Sequence, residues 1–307
     1  MKILVTGGAG FIGSNLADAL IADGHQVSII DNLSTGKLRN VPAAAEFHQI
    51  DISSPVVGKV MERGKFDVIF HLAAQMDVRK SVENPRNDAE INILGGINLL
   101  QSAVGHSVKK LVFSSTGGAI YGEQTEFPAS EEHAANPVSP YGVSKLAFEK
   151  YLYFFNFQHG LPYVNLRYAN VYGPRQNPEG EAGVVAIFCM KLLKGEKAVV
   201  NGDGLQTRDF VFVNDVVRAN LLSLKFDSSM TFNVGTGIET DVNTIFDKIK
   251  RSCGSTQPRI NGPAKPGEQK RSSITHDKIR KFLGWSPSVD LDAGIAKTVD
   301  YFKSSLK

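Results

Sequence analysis

Cysteine and tryptophan are scarce in this sequence: two cysteines, Cys189 and Cys253, and one tryptophan occur among 307 residues. Two distant cysteines supply neither a metal-ligand spacing nor a disulfide framework, so a small stapled fold is excluded, no metal is expected, and the expected compartment is a reducing one. Long apolar runs are absent too. Nothing approaches the about eighteen residues of a membrane span, and the chain opens on strand-like Ile3-Leu4-Val5 with no charged-then-apolar leader. The cytoplasm is the expected location, with no membrane partner. Neither sign of charge prevails: 34 Lys and Arg stand against 31 Asp and Glu, well mixed, for a formal charge of +3. Such a balance argues against a nucleic-acid surface and for a small anionic ligand. What the chain does have is core material, with 42% hydrophobic and 21% charged residues, enough for one sizeable domain and a smaller one.

Short β-branched runs alternate with longer amphipathic stretches through the first half, at Lys2 to Thr6, Gln26 to Asp31, Glu46 to Gln49, Val68 to Leu72, Lys110 to Ser114 and Tyr163 to Tyr168. This rhythm predicts βαβ units, hence an α/β fold built on a doubly wound parallel (Rossmann) sheet. After Asn170 the rhythm stops. A turn-rich loop from Gly173 to Gly180, a helical segment from Val184 to Lys194 and several short strands read as a smaller mixed α/β domain. We therefore expect a nucleotide-binding domain over 1–168 and a substrate domain over 169–307. The strand-like Phe232-Asn233-Val234-Gly235 is expected to return to the first sheet, with the returning segment near 231–236.

Thr6-Gly7-Gly8-Ala9-Gly10-Phe11-Ile12-Gly13 follows the first strand and opens a helix. In that setting Gly7, Gly10 and Gly13 permit a tight turn and close backbone approach, and the helix N-terminus favours a pyrophosphate. Asp31, at the end of the second strand, stands where a carboxylate accepts hydrogen bonds from both adenosine ribose hydroxyls. Its charge repels a 2′-phosphate, so NAD is expected rather than NADP. Asp51 and Ile52 after the third strand are candidates to contact adenine, and Leu72, Ala73 and Ala74 to line the pyrophosphate and nicotinamide path.

The second informative stretch is Tyr141-Gly142-Val143-Ser144-Lys145. Ser139 is a plausible N-cap and Pro140 a plausible first helical residue, which sets Tyr141 and Lys145 one turn apart on one face. A phenol titrates near ~10, so Tyr141 works as a general base near neutrality only where a cation stabilises its phenolate. Lys145 is placed to do so.

With these residues in view, the chain resembles over nearly its whole length the extended short-chain dehydrogenase/reductases that act on nucleotide sugars, the NAD-dependent epimerase/dehydratase family. Within it the UDP-glucose 4-epimerase group is most similar. The shared landmarks are the glycine loop, Asp31-Asn32-Leu33-Ser34-Thr35-Gly36, His71-Leu72-Ala73-Ala74, Lys80-Ser81-Val82, Ser114-Ser115-Thr116, Tyr141 to Lys145, Arg167 to Asn170, Thr207-Arg208-Asp209-Phe210 and Lys265-Pro266-Gly267-Glu268. The resemblance implies an isomerase that interconverts UDP-glucose and UDP-galactose by reversible oxidation at sugar C4. It implies NAD as cofactor, held by the glycine loop with Phe11 and Ile12, by Asp31, Asn32, Ser34, Thr35 and Gly36, and by Tyr141 and Lys145. It implies Tyr141 as base, Lys145 as its cationic partner and Thr116 as a hydrogen bond to the C4 oxygen. Ser81, Asn170 and Arg208 are implied in substrate binding, and a homodimer is implied through the aromatic-rich helix after Tyr141 and the one near Asn92 to Leu100.

Departures from the family's pattern leave alternatives open. The segment Ser114 to Gly122 is longer by one residue, through Gly117-Gly118. Lys265 stands where an arginine is usual, with Arg271 as a possible substitute, and Asn201 stands where an aromatic often stacks on uracil. Ser272 reaches the position of a bulky tyrosine that crowds sugar C2, so an N-acetylhexosamine pair is a further candidate substrate. A UDP-glucuronate 4-epimerase stays open. A 4,6-dehydratase or decarboxylase is disfavoured, because Gly117-Gly118-Ala119 replaces the acidic residues those reactions use near the strand end. A catalytically idle NAD-binding regulator is the reading from a different class.

Overall fold

The computed structural model describes residues 1–179, 183–264 and 269–306. Strands β1 (Lys2–Thr6), β2 (Gln26–Ile30), β3 (Glu46–His48), β4 (Val68–His71), β5 (Lys110–Thr116) and β6 (Tyr163–Tyr168) lie in one sheet with Met230–Val234 at its edge. All seven run parallel, in the order Met230–Val234, β6, β5, β4, β1, β2, β3. Successive residues of β1 feed opposite cores, as the two-residue period of a strand requires. Ile3 and Val5 pack with Leu16 and Leu20 of helix α1 (Phe11–Ala22), whereas Leu4 packs with Val57, Leu99 and Phe148 on the other face. Helices thus cover both faces of the sheet, and the doubly wound architecture expected from the sequence is the one present.

The chain then leaves the sheet. Asn170–Tyr172, Thr207–Phe212 and Glu239–Asp241 form a three-stranded sheet, and Val199–Asn201 pairs with Ile260–Gly262. Helices Val184–Leu193, Val242–Cys253 and Leu291–Ser305 close over them around Tyr172, Phe188, Phe212, Phe246 and Phe302. Among the described residues no helix is long and apolar enough to cross a membrane. None of the described His, Cys, Asp and Glu side chains group in threes fit to hold a metal ion.

Candidate active site

The first half of the site grows from the turn between β1 and α1. Gly7 adopts φ +73°, a left-handed conformation that glycine alone adopts freely, and a Cβ there would lie 2.6 Å from the Ala73 backbone nitrogen. A Cβ on Gly13 would sit 2.2 Å from the Gly7 carbonyl oxygen, so the helix can start against the turn only without a side chain. Gly10 caps α1 with no side-chain hydrogen bond, leaving first-turn amides directed at the space in front. Asp31 is buried at the end of β2, and its two oxygens accept from Ala9 N at 3.0 Å and Leu33 N at 2.8 Å. Gly36 lies against it, since a Cβ there would be 2.8 Å from the Asp31 Oδ1. Asn32 donates to Asp51 at 2.7 Å and accepts from Ser34 N at 2.9 Å. Burial opposes ionisation of Asp51, yet hydrogen bonds from Ser53 and Asn32 outweigh it and hold the carboxyl below its ordinary value. Ile52 is buried behind this carboxylate. Gly7, Gly10, Gly13, Asp31, Gly36 and Ala73 therefore meet around one cradle, beside the β1–β4 junction.

Thr6, the last residue of β1, ties this cradle to the next strand. Its hydroxyl pairs with His71 Nδ1 at 2.8 Å and accepts from Ala73 N at 3.3 Å. His71 is buried and stacked on Phe113; burial, and then the charge of Lys145, drive its pKa down to about 3.

The second half begins at the end of β5. The Thr116 hydroxyl accepts from Ala119 N at 3.2 Å and so caps the single helical turn Gly117–Ile120. Gly117 and Gly118 both lie in this turn. A Cβ on Gly118 would come 3.5 Å from Asn170 Oδ1 and 3.9 Å from Thr116 Oγ1, so these two predicted site residues share one corner. The helix Pro140–His159 docks on the same turn: Ser139 caps it by accepting from Gly142 N at 3.2 Å, and a Cβ on Gly142 would meet the Ala119 carbonyl at 2.7 Å. Tyr141 is half-buried and Lys145 buried. The Lys145 ammonium donates to the Ser114 carbonyl at 2.9 Å, 4.6 Å from the Phe113 ring centre and 5.8 Å from that of Tyr141. Burial brings Lys145 down to about 8, against the opposing pull of Asp88 and Glu149. Burial, and then the charge of Asp88, push the Tyr141 phenol above the ordinary tyrosine range. The protein's own groups thus keep the proton on Tyr141, and Lys145 alone does not offset them.

Behind this pair lies a polar network that sequence reasoning missed. Asp88 is fully buried and accepts from Ser144 Oγ at 2.7 Å, Gln75 Nε2 at 2.9 Å and Asn92 Nδ2 at 3.0 Å. Asn92 lies in the π-helical stretch Glu90–Gly95, a rare geometry enriched at functional sites. The i, i+4 spacing of Asp88 and Asn92 in an otherwise helix-forming segment was the available signal.

The residues expected to bind substrate are arranged less uniformly. Arg208 lies on Thr207–Phe212, where its guanidinium donates to the Thr207 carbonyl at 2.7 Å. Arg271, named as a substitute for Lys265, is engaged elsewhere: it forms a two-pronged pair with Glu239 at 2.9 and 2.6 Å and lies 3.8 Å over Phe127. Ser81 is fully buried and turns its hydroxyl to Val78 O of its own helix at 2.6 Å. Ser272 is buried beside Ser273, whose amide donates to Gln124 at 3.0 Å. Asn201 ends its strand next to Gly262. Lys265 lies outside the described residues.

Comparison with known proteins agrees with this architecture. The profile of the NAD dependent epimerase/dehydratase family matches residues 3–235. A UDP-glucose 4-epimerase of Mycolicibacterium smegmatis is 43% identical over 310 aligned residues, which cover 99% of both chains. Among solved structures, a UDP-glucose 4-epimerase with UDP-glucose from Thermotoga maritima superposes with a TM-score of 0.99 at 46% identity over 100% of each chain. The UDP-glucose 4-epimerase complex with NAD from Thermus thermophilus gives 0.95 at 43% identity over 99% of this chain and 100% of that one. With a family profile matching residues 3–235 and relatives 43% identical over 99% of its length, on the same parallel-sheet fold, the chain belongs to the NAD dependent epimerase/dehydratase family.

Proposed function

We propose that this chain interconverts UDP-glucose and UDP-galactose by reversible oxidation at sugar C4, with NAD as its resident cofactor. What supports the reading most is that the Lys145 ammonium donates to the Ser114 carbonyl near the end of β5, 5.8 Å from the Tyr141 ring, while Thr116 ends that strand and Thr6 joins the neighbouring strands to the turn of Gly7 through His71 and Ala73. The cradle fits a dinucleotide: its floor is backbone that any Cβ would obstruct, and the buried carboxylate of Asp31 stands at the end of the neighbouring strand. When bound, NAD supplies the hydride acceptor and a positive charge near the phenol. The chain's residues manage the proton. Tyr141 takes the proton of the C4 hydroxyl and returns it, and Lys145 and the cofactor's charge together oppose the burial that holds the phenol protonated. Since Thr116 already accepts from Ala119 N, its own O–H is free to donate to the C4 oxygen as charge develops there. Asn170, in the Thr116 corner, meets a sugar or diphosphate oxygen, and Arg208 balances the diphosphate. The small Ser272 leaves room at sugar C2, so the reading extends to the N-acetylhexosamine pair.

Assembly is part of the same reading. Tyr153, Phe154 and Phe157 of the long helix are 61%, 50% and 79% exposed, and Leu94 of the Glu90–Gly95 stretch is 59% exposed. An aromatic face of this kind fits a second copy of the chain, and sedimentation of the purified protein should report a homodimer.

The function is tested by incubating the protein with UDP-glucose and following the sugars by NMR. UDP-galactose should accumulate to equilibrium with no build-up of NADH. Stoichiometric NADH, or a stable 4-keto sugar, would replace this reading with a dehydrogenase or a dehydratase.

A further inference from the structure

We propose that Asp88 is a positioning residue that locks the loop after β4 to the helix carrying Tyr141 and Lys145, and that its charge sets the balance between those two groups. The inference rests on the assignment of Tyr141 and Lys145 to proton transfer.

Asp88 lies on the short helix Pro85–Ala89, fully buried, and three neutral donors converge on its carboxylate. Each donor belongs to a different part of the site. Ser144 immediately precedes Lys145 on the long helix. Asn92 comes from the π-helical stretch, and it exchanges two hydrogen bonds with the Gln75 backbone, at 2.9 Å each. Gln75 itself follows Ala73 and Ala74, and its side-chain amide brackets Asp77 by donating to its carbonyl at 2.9 Å and accepting from its N–H at 2.7 Å. One carboxylate therefore fixes the cradle-lining loop and the proton-transfer helix relative to each other.

A carboxylate removed from water also acts at a distance, because little solvent screens it. The elements packed against it bring Arg79, Lys80 and Glu83 from the helix Val78–Glu83, Tyr141, Lys145 and Glu149 from the long helix, Asp77 from the loop, and Arg86 and Glu90 from its own stretch, with His71 of β4 interacting with Lys145. Arg86 and Glu90 pair with each other at 2.9 Å and are exposed. Glu149 is matched by Arg167 at 2.7 Å, and His71 stays neutral. Asp88 favours the charged form of Lys145, together with Glu149, and it favours the neutral form of Tyr141.

Asp88→Asn is isosteric: its Oδ1 still accepts from Gln75 and Asn92, and its amide can donate to Ser144. Removing the charge should lower the titration of both Lys145 and Tyr141, so both limbs of the kcat–pH profile move toward acid. The test uses the holoenzyme labelled with ¹³C-lysine, with the Lys145 titration followed by NMR and the pH profile recorded alongside. Lys145 should titrate about one unit lower in Asp88→Asn than in the parent. Ser144→Ala, which deletes a neutral donor and keeps the charge, should leave the Lys145 titration in place, and Asp88→Glu should do the same. If Asp88→Asn does not fold, Gln75→Lys neutralises the carboxylate by pairing, and Lys145 must again move down. An unmoved Lys145 in the neutralised variant overturns the proposal, as does an equal shift in Ser144→Ala. A shifted Lys145 with an unmoved pH profile supports the role of Asp88 and overturns instead the assignment of Tyr141 and Lys145 to proton transfer.

Discussion

The cofactor cradle and the substrate side are built by different means. Around the cradle, fixed backbone does the work: Gly7 and Gly13 leave no room for a Cβ, Asp31 holds the turn at Ala9 N, and Thr6 holds the adjoining loop at Ala73 N. On the proposed substrate side, the candidate side chains sit on short strands and loops, and one of them, Arg271, is already paired with Glu239. A site whose shape is set by backbone has one geometry and tolerates little change. A site set by side chains on loops can be retuned, which suits the part that selects among sugars.

That contrast can be broken in four places. The largest effect should be on stability, through His71 on β4 beneath the cradle. His71 is held to about 3 while an unfolded histidine titrates near 6.5. Below pH 6.5 the unfolded chain binds a proton that the folded chain refuses, so stability present above that pH is lost as the pH falls toward about 3. The full loss is ~5 kcal/mol, or about 1.4 kcal/mol per pH unit. Denaturant unfolding between neutrality and pH 4 should show about 3 kcal/mol of it, and the slope should flatten in His71→Gln. Equal slopes would mean that His71 is not the group responsible.

Next in size is Tyr141→Phe, which removes only the proton-transfer group. Turnover should fall by about 10²-fold or more, with the fold and NAD binding kept. Activity near that of the parent would remove Tyr141 as the base. Asp31→Ala follows: losing charge-assisted bonds to the ribose should weaken NAD by about 2 kcal/mol, or roughly thirtyfold, and lessen discrimination against NADP. Calorimetry with both cofactors checks it, and unchanged affinities would contradict the ribose role.

The smallest effect belongs to the adjustable side. Ser272→Tyr should fill the space beside sugar C2 and lower the kcat/KM ratio of UDP-N-acetylglucosamine over UDP-glucose by about tenfold. Because the readout is a ratio, a general loss of folding cannot mimic it. A ratio equal to the parent's, or a parent that already rejects the acetamido sugar, would show that Ser272 does not face that space.

What could be read in advance follows the same division. The parallel sheet, the glycine turn and the capped helix of Tyr141 and Lys145 were legible because their signals are local. Strand period, φ above zero and the Ser139-Pro140 start are all written within a few residues. Asp88 was not legible, since its partner Ser144 lies 56 positions away and its other partners depend on a π-helical stretch that no simple period announces. The capping role of Thr116 was hidden for a similar reason: Gly117-Gly118 makes a helical turn only once Ala119 folds back on the hydroxyl. Arg271 looked available in sequence because nothing near it discloses Glu239, 32 positions earlier on the strand Glu239–Asp241.

The central claim is that a single position of the sugar, C4, is oxidised and restored within one closed site. It is tested most directly with UDP-glucose carrying deuterium at C4, converted by the protein in ordinary water. The account predicts UDP-galactose that keeps the deuterium at C4. Replacement of that deuterium by solvent hydrogen would contradict it.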